Sequence, residues 1–90
     1  MIVKAAVKIY DMRQNKKVII PCHRHCDAFY ILKEFGYKKN VDYKEIAQGF
    51  LDEEDNFYDR VAAHRHAWWR MQLPNEDEYV PSELFSEDLW

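Results

Sequence analysis

The sequence predicts a small α+β domain, in which an antiparallel sheet of hairpins packs with two helices in the order β-β-α-β-β-α. Early segments alternate apolar and polar residues with a period of two, whereas two later segments repeat apolar residues three and four positions apart. The chain has 90 residues, enough for one domain. Its 48% hydrophobic and 16% aromatic content, with only two glycines, excludes the disordered class.

The first predicted hairpin lies at the N-terminus. Residues 2–10 alternate as a strand with one buried face. A polar turn at 11–16 leads to a β-branched run at 17–21, which proline ends, and this run is the expected returning strand. The residues expected to share the buried face of the first strand are Val3, Ala5, Val7 and Ile9.

The first helix is expected between Asp27, as its N-cap, and Phe35. Its apolar residues have the spacing of a buried helical stripe. They are Ala28, Ile31, Leu32 and Phe35. Gly36 follows in the position where a left-handed residue commonly ends a helix.

The second half repeats the strand–strand–helix order. An apolar run at 46–51 predicts a strand, and a very short strand is expected at residues 57–58 after an acidic turn. Asp59 is the expected N-cap of a second helix from Arg60 to about Gln72.

The C-terminal segment is acidic but keeps large apolar side chains, so we expect it to dock on the domain. The chain is therefore interpreted as a single domain over 1–90, with an α+β body at 1–73 and a packed tail at 74–90. The apolar residues of the tail are Tyr79, Val80, Leu84, Phe85, Leu89 and Trp90.

The net charge of −3 conceals a split between the two halves. Residues 1–45 contain ten Lys/Arg and five Asp/Glu, whereas residues 46–90 contain three and eleven. The chain lacks the overall basicity of a nucleic-acid binder, and neither helix has a basic face for reading bases, so we expect no sequence-specific DNA binding. Most of the lysines are interpreted as solvated, although a local basic patch could contact phosphates.

Neither a membrane span nor a signal peptide is recognisable, so we expect a cytoplasmic protein with no membrane partner. Cys22 and Cys26 are then free thiols in a reducing compartment.

The segment 21–27, Pro-Cys-His-Arg-His-Cys-Asp, is the densest polar cluster and leads into the first helix. Unpaired amides at a helix start attract anions, so Arg24 and the two histidines favour a phosphate or carboxylate site. Zinc is the competing interpretation, because Cys22, His23, His25 and Cys26 are all acceptable ligands. The C-x3-C spacing lacks a second ligand pair, so we expect no metal and no cofactor. A pairing of Cys22 or Cys26 with His64 for nucleophilic catalysis is a weaker alternative, in which Cys26 is favoured because the start of a helix lowers the pKa of a thiol.

A second cluster combines Asp59 and Arg60 with His64, which shares a helix face with Arg60. Trp68 and Trp69 follow on the same helix. Their simplest role is core packing, and the alternative is an aromatic wall on which a nucleotide base stacks.

Several short motifs occur in an order that resembles a family of small, mostly uncharacterised phage and prophage proteins, over about residues 19–90. These motifs are Arg24-His25, Gln48-Gly49-Phe50-Leu51, Phe57, Asp59-Arg60, Ala63 and the closing Ser86-Glu87-Asp88-Leu89. Cys22 stands where the family pattern has glycine, and His64 where glutamate is common.

The residues shared with that family are mostly polar, which favours a ligand or catalytic site over a packing pattern. A structural interpretation stays open beside it. In that interpretation Asp59 only caps its helix, and Arg24 pairs with the tail carboxylates Glu87 and Asp88.

We therefore expect a small phage accessory protein that binds an anionic, phosphorylated or nucleotide ligand and thereby sequesters a host signal. The expected binding residues are Arg24, His25, Gln48, Arg60 and His64. One alternative is an interaction module whose acidic tail (Glu76, Asp77, Glu78, Glu83, Glu87 and Asp88) inhibits a host protein. A second alternative is a small enzyme acting on a phosphate ester, with His25 or His64 as acid/base. A homo-oligomer is compatible with each of these.

Overall fold

The computed structural model of the chain describes residues 1–70, 72–73, 82–85 and 89. Four strands and two helices follow one another in the expected order. They are β1 (Ile2–Asp11), β2 (Lys16–Cys22), α1 (His25–Glu34), β3 (Tyr43–Asp52), β4 (Phe57–Asp59) and α2 (Arg60–Trp69).

The strands form one antiparallel sheet in the order β2-β1-β3-β4. Two hairpins, β1–β2 and β3–β4, are joined in the middle by the long pairing of β1 with β3. The predicted α+β class and the β-β-α-β-β-α order are therefore confirmed.

Both helices pack on one face of the sheet, because the alternate β1 residues Ala5, Val7 and Ile9 contribute to both apolar clusters. The cluster under α2 contains Ile2, Ala5, Phe50, Ala63, Ala67 and Leu84. The cluster under α1 contains Val7, Ile9, Ala28, Leu32 and Tyr43. The opposite face of the sheet carries no helix among the described residues.

Two expectations about buried faces were wrong. Val3 is 47% exposed, because the β1–β3 register shifts between Ile2 and Lys4, and Ile2 is buried instead. In α1 the buried residues are His25, Ala28 and Leu32, whereas Ile31 and Phe35 are 40% and 74% exposed. A polar histidine occupies the inward position at the helix start, which simple apolar spacing does not detect.

The first helix begins earlier than expected. Arg24 is the N-cap, and Asp27 lies inside the first turn, where its Oδ2 accepts from the Arg24 amide at 3.1 Å. The end was predicted correctly: Gly36 has φ of 78°, and its amide donates to the Lys33 carbonyl.

The second helix begins as expected, since Asp59 accepts from the Ala62 amide at 2.8 Å. It ends at Trp69 rather than near Gln72. Gln72 instead pairs with the main chain of Ile2: the Ile2 amide donates to Oε1 at 2.6 Å, and Nε2 donates to the Ile2 carbonyl at 2.7 Å. This side chain thereby fastens the first residue of β1.

The described part of the C-terminal segment contacts the domain. Leu84 is fully buried, and its amide donates to the Arg60 carbonyl at 2.9 Å. Leu73 and Leu89 pack against the same cluster. Tyr79, Val80 and Trp90 lie outside the described residues.

In the part of the chain that the structure describes, neither helix has the length and apolar character needed to cross a bilayer.

Candidate functional site

Two of the predicted site residues meet at the start of α2. Gln48 projects from the helix-covered face of β3, and its Oε1 accepts from Arg60 Nη2 at 2.5 Å. The amide group of Gln48 also donates to Glu45 Oε1 at 3.1 Å. A row of hydrogen bonds therefore links the side chains of Glu45, Gln48 and Arg60.

The cavity beside this row has a volume of about 350 Å³. Its described wall holds one cation, Arg60, and three carboxylates, those of Glu45, Asp59 and Glu83. Arg24, His25 and His64 do not belong to that wall. Because like charges repel, three carboxylates around one guanidinium disfavour a doubly charged phosphate there.

Arg60 also holds the C-terminal segment in place. Its guanidinium lies 4.8 Å from the centroid of the Phe85 ring, a cation–π contact. Its Nε is buried and has no hydrogen-bond partner among the described residues. Arg60 thus joins β3, α2 and Phe85 into one unit.

His25 is buried between α1 and the sheet. Its Nε2 donates to the Gly49 carbonyl at 2.7 Å, and its ring makes an edge contact with Phe50, with centroids 5.1 Å apart. The imidazole is therefore a tie between the first helix and the sheet.

His64 is also buried, on the inward side of α2. Arg24 is half-buried at the N-cap of α1. The expected pairing of Arg24 with Glu87 and Asp88, like Ser86, lies outside the described residues.

A larger concave surface lies along the outer side of α2 and is called here the α2 groove. Its volume is about 660 Å³. Its lining consists of Tyr58, Asp59, Val61, Ala62, Arg65, His66, Trp69 and Arg70. Trp69 is 66% exposed and Val61 48%, while Arg65 and Arg70 are both exposed. The lining of the groove thus includes two guanidinium groups, one indole and one carboxylate, that of Asp59.

The floor of the α2 groove is held by stacked rings. Tyr58 and His66 stack with centroids 4.7 Å apart and an angle of 29° between their planes. The Tyr58 hydroxyl donates to Asp52 Oδ2 at 2.9 Å. Burial acts to raise the pKa of Asp52, but hydrogen bonds from Asn56, Tyr58 and Glu54 outweigh it and hold the pKa well below its usual range.

The neutral form of His66 is favoured in the groove. Burial, the Met1 amine and Arg70 lower its pKa below the ordinary value. The Met1 amine donates to His66 Nε2 at 3.1 Å. The positive charge of the groove therefore comes from Arg65 and Arg70.

The sequence analysis named Asp59 and Trp69 of this groove but neither of its arginines, Arg65 and Arg70. A signal was present, because Val61, Arg65 and Trp69 are spaced four residues apart and share one helix face. That face lacks the apolar continuity of a buried stripe. Arg60 and His64, which the sequence analysis placed in the site, face the sheet instead.

The Cys/His segment shows no metal arrangement. Among the described residues, no three His, Cys, Asp or Glu side chains are grouped to hold an ion. Cys22 and Cys26 are both free thiols, the first half-buried and the second exposed. Burial raises the pKa of the Cys22 thiol to about 11.

Comparison with known proteins identifies a family. A family model described as phage T4 y16D protein matches residues 1–90, including the first strand that the motif resemblance left out. No curated protein and no solved structure matches the chain.

Proposed function

The chain belongs to the family of the phage T4 y16D protein, and from this premise we propose that it is a phage accessory protein that binds a small anionic ligand with a planar ring, of the nucleotide class, in the α2 groove. The observation that carries the proposal is the exposed Trp69 indole, which lines a concave surface together with Arg65 and Arg70.

The size and chemistry of the groove support this ligand class. Pockets for small molecules usually enclose ~300–1,000 Å³, and the α2 groove, at about 660 Å³, lies within that range. Guanidinium groups bind phosphate through paired, charge-assisted hydrogen bonds. An exposed indole offers a flat surface to a base. Phosphate and base would thus have separate partners in one cleft.

The cavity at Gln48 and Arg60 is the competing location for the same ligand. The Arg60 guanidinium already donates to Gln48 and lies against the Phe85 ring. Three carboxylates also line that cavity. The balance of charge therefore favours the α2 groove, where two cations face one carboxylate. In this proposal Gln48 and Arg60 support the helix that carries the groove, and His25 fastens the first helix to the sheet.

A thermal-shift screen tests the proposal, with ATP, AMP, cyclic dinucleotides and inorganic phosphate as probes. A ligand at 100 times its dissociation constant stabilises a fold by ~2.7 kcal/mol, which is several degrees for a domain of this size. The double variant Arg65→Gln/Arg70→Gln removes the groove cations and is expected to abolish the shift.

Two matched variants locate the site. Lys33→Gln/Lys38→Gln removes the same charge at and beyond the end of α1 and is expected to keep the nucleotide shift. Gln48→Glu places a further carboxylate beside Arg60 and is also expected to keep it. Loss of the shift in Gln48→Glu, with retention in the arginine double variant, would move the ligand to the Gln48–Arg60 cavity and refute the groove.

A further inference from the structure

The helix-free face of the sheet carries an arrangement that the α2 groove does not use. Residues paired directly across antiparallel strands project from the same face. Tyr10 of β1 pairs with Lys17 on β2 and with Lys44 on β3. An aromatic ring is therefore flanked on both sides by a lysine, each about 4.8 Å away at the backbone.

The same pattern continues along β1. Lys8 lies two residues before Tyr10 and projects from the same face, and its Nζ is 5.4 Å from the centroid of the Phe57 ring. Lys4 lies four residues before Lys8 on the same strand, and its Nζ is 3.7 Å from Asp55 Oδ1. We call Lys8, Tyr10, Lys17, Lys44 and Phe57 the lysine face.

Negative charge is sparse on this side of the sheet. Among the described strand residues that share the lysine face, Asp59 is the one carboxylate, and its side chain accepts from the Ala62 amide to cap α2. The protein as a whole has a charge of −3, so a polyanion would be attracted by the lysines of this face and not by the net charge of the protein.

We propose that the lysine face binds single-stranded nucleic acid without sequence preference. Its phosphates contact Lys8, Lys17 and Lys44, and one base stacks on Tyr10. Alternating cations and rings on an open sheet suit a chain of alternating phosphates and bases. An acidic protein segment would satisfy the lysines but leave the ring between them without a function.

Fluorescence anisotropy with a labelled oligothymidylate of about 20 nucleotides tests this proposal. Three phosphates neutralised on a single strand predict a slope of about −2 when log K is plotted against log salt concentration. Lys17→Gln/Lys44→Gln is expected to reduce that slope to about −0.7 and to weaken binding. Lys33→Gln/Lys38→Gln, which removes equal charge elsewhere, is expected to leave both unchanged.

The stacking contact has its own matched pair of variants. Tyr10→Leu removes the ring and is expected to weaken binding about tenfold at fixed salt. Tyr10→Phe keeps the ring, loses only the hydroxyl that donates to Asn15, and is expected to bind as the parent does. If Tyr10→Leu does not fold, the lysine variants still decide the matter, because those side chains are exposed.

Two results would overturn the proposal. One is displacement of the oligonucleotide by polyglutamate of equal length as effectively as by unlabelled oligothymidylate, which would indicate an acidic protein partner. The other is affinity that depends on Arg65 and Arg70 but not on Lys17 and Lys44. Because the two surfaces share no cation, failure here leaves the α2 groove unaffected, and the reverse also holds.

Discussion

The imidazole of His25 donates a hydrogen bond to the Gly49 carbonyl at 2.7 Å and fastens the start of α1 to the middle of the sheet. The contact is buried, and the ring also packs against Phe50. A histidine in a polar sequence motif is thus used here for folding.

His25→Ala is expected to lower the free energy of unfolding by about 2–4 kcal/mol, because it leaves a cavity and a buried carbonyl without its donor. Urea denaturation measures this change. A loss below about 0.5 kcal/mol, the size of an ordinary surface substitution, would contradict the role assigned to His25.

Gly49 is required where β3 pairs with β4. A Cβ at this position would collide with the Tyr58 carbonyl and would lie 2.6 Å from Cζ of Phe57. Gly49→Ala is therefore expected to cost about 1–3 kcal/mol through overpacking and to loosen the β3–β4 hairpin. Amide hydrogen exchange should show the loss of protection concentrated at β4.

Gly36→Ala is the matched control. Gly36 has positive φ, but open space surrounds it. Only backbone strain of about 1–2 kcal/mol is expected, with β4 unaffected. Equal exchange patterns in the two variants would show that the close approach at Gly49 does not matter.

Gln72 accepts one hydrogen bond from the main chain of Ile2 and donates another to it. An isosteric substitution can therefore remove one of these bonds and keep the other. Gln72→Glu keeps the acceptor for the Ile2 amide but replaces the donor with an oxygen that faces the Ile2 carbonyl. We expect a loss of about 1–2 kcal/mol at neutral pH, partly recovered at pH 4 as the carboxyl group is protonated. Thermal unfolding at the two pH values checks this result, and an unchanged difference between them would contradict it.

The two cysteines should differ in reactivity. With the Cys22 pKa near 11, only about one thiol in a thousand is ionised at pH 8, and the side chain is half-buried. Cys26 is exposed. Iodoacetamide labelling followed by mass spectrometry should modify Cys26 at least about tenfold faster than Cys22. Equal rates would show that Cys22 is not buried in solution.

Acid should weaken the fold in two stages. The folded pKa of His66 is lowered, so the unfolded chain binds its proton first, and stability falls as pH drops below about 6.5. The pKa of Asp52 is also lowered in the folded state, so a second loss begins below about pH 4. His66→Phe is expected to remove the first stage only. Urea midpoints measured from pH 7 to 3 check this, and an unchanged first stage would contradict it.

The predictable part of the fold came from local patterns. The strand β1, the Gly36 helix end and the Asp59 cap each depend on a few neighbouring residues, and each was predicted correctly. The exposure of Val3 depends on a register shift against Leu51 and Asp52 of β3, which are distant in the sequence, and alternation alone does not encode it.

The candidate site was harder to predict because polar residues serve packing as well as binding. Gln48 and Arg60 were expected near each other and are in contact. The groove residues Arg65 and Arg70 were missed. An exposed arginine is a candidate binding residue only when Trp69 and Tyr58 are known to line the same cavity, and the sequence does not show this.

The most direct test of the α2 groove is a ¹⁵N–¹H correlation spectrum of the protein titrated with ATP. We expect the largest shifts at the Trp69 indole N–H and at the backbone amides of Val61, Arg65 and Arg70, with the Gln48 side-chain amide little changed. Shifts centred on Gln48 and Arg60, or no saturable shift at all, would contradict the account.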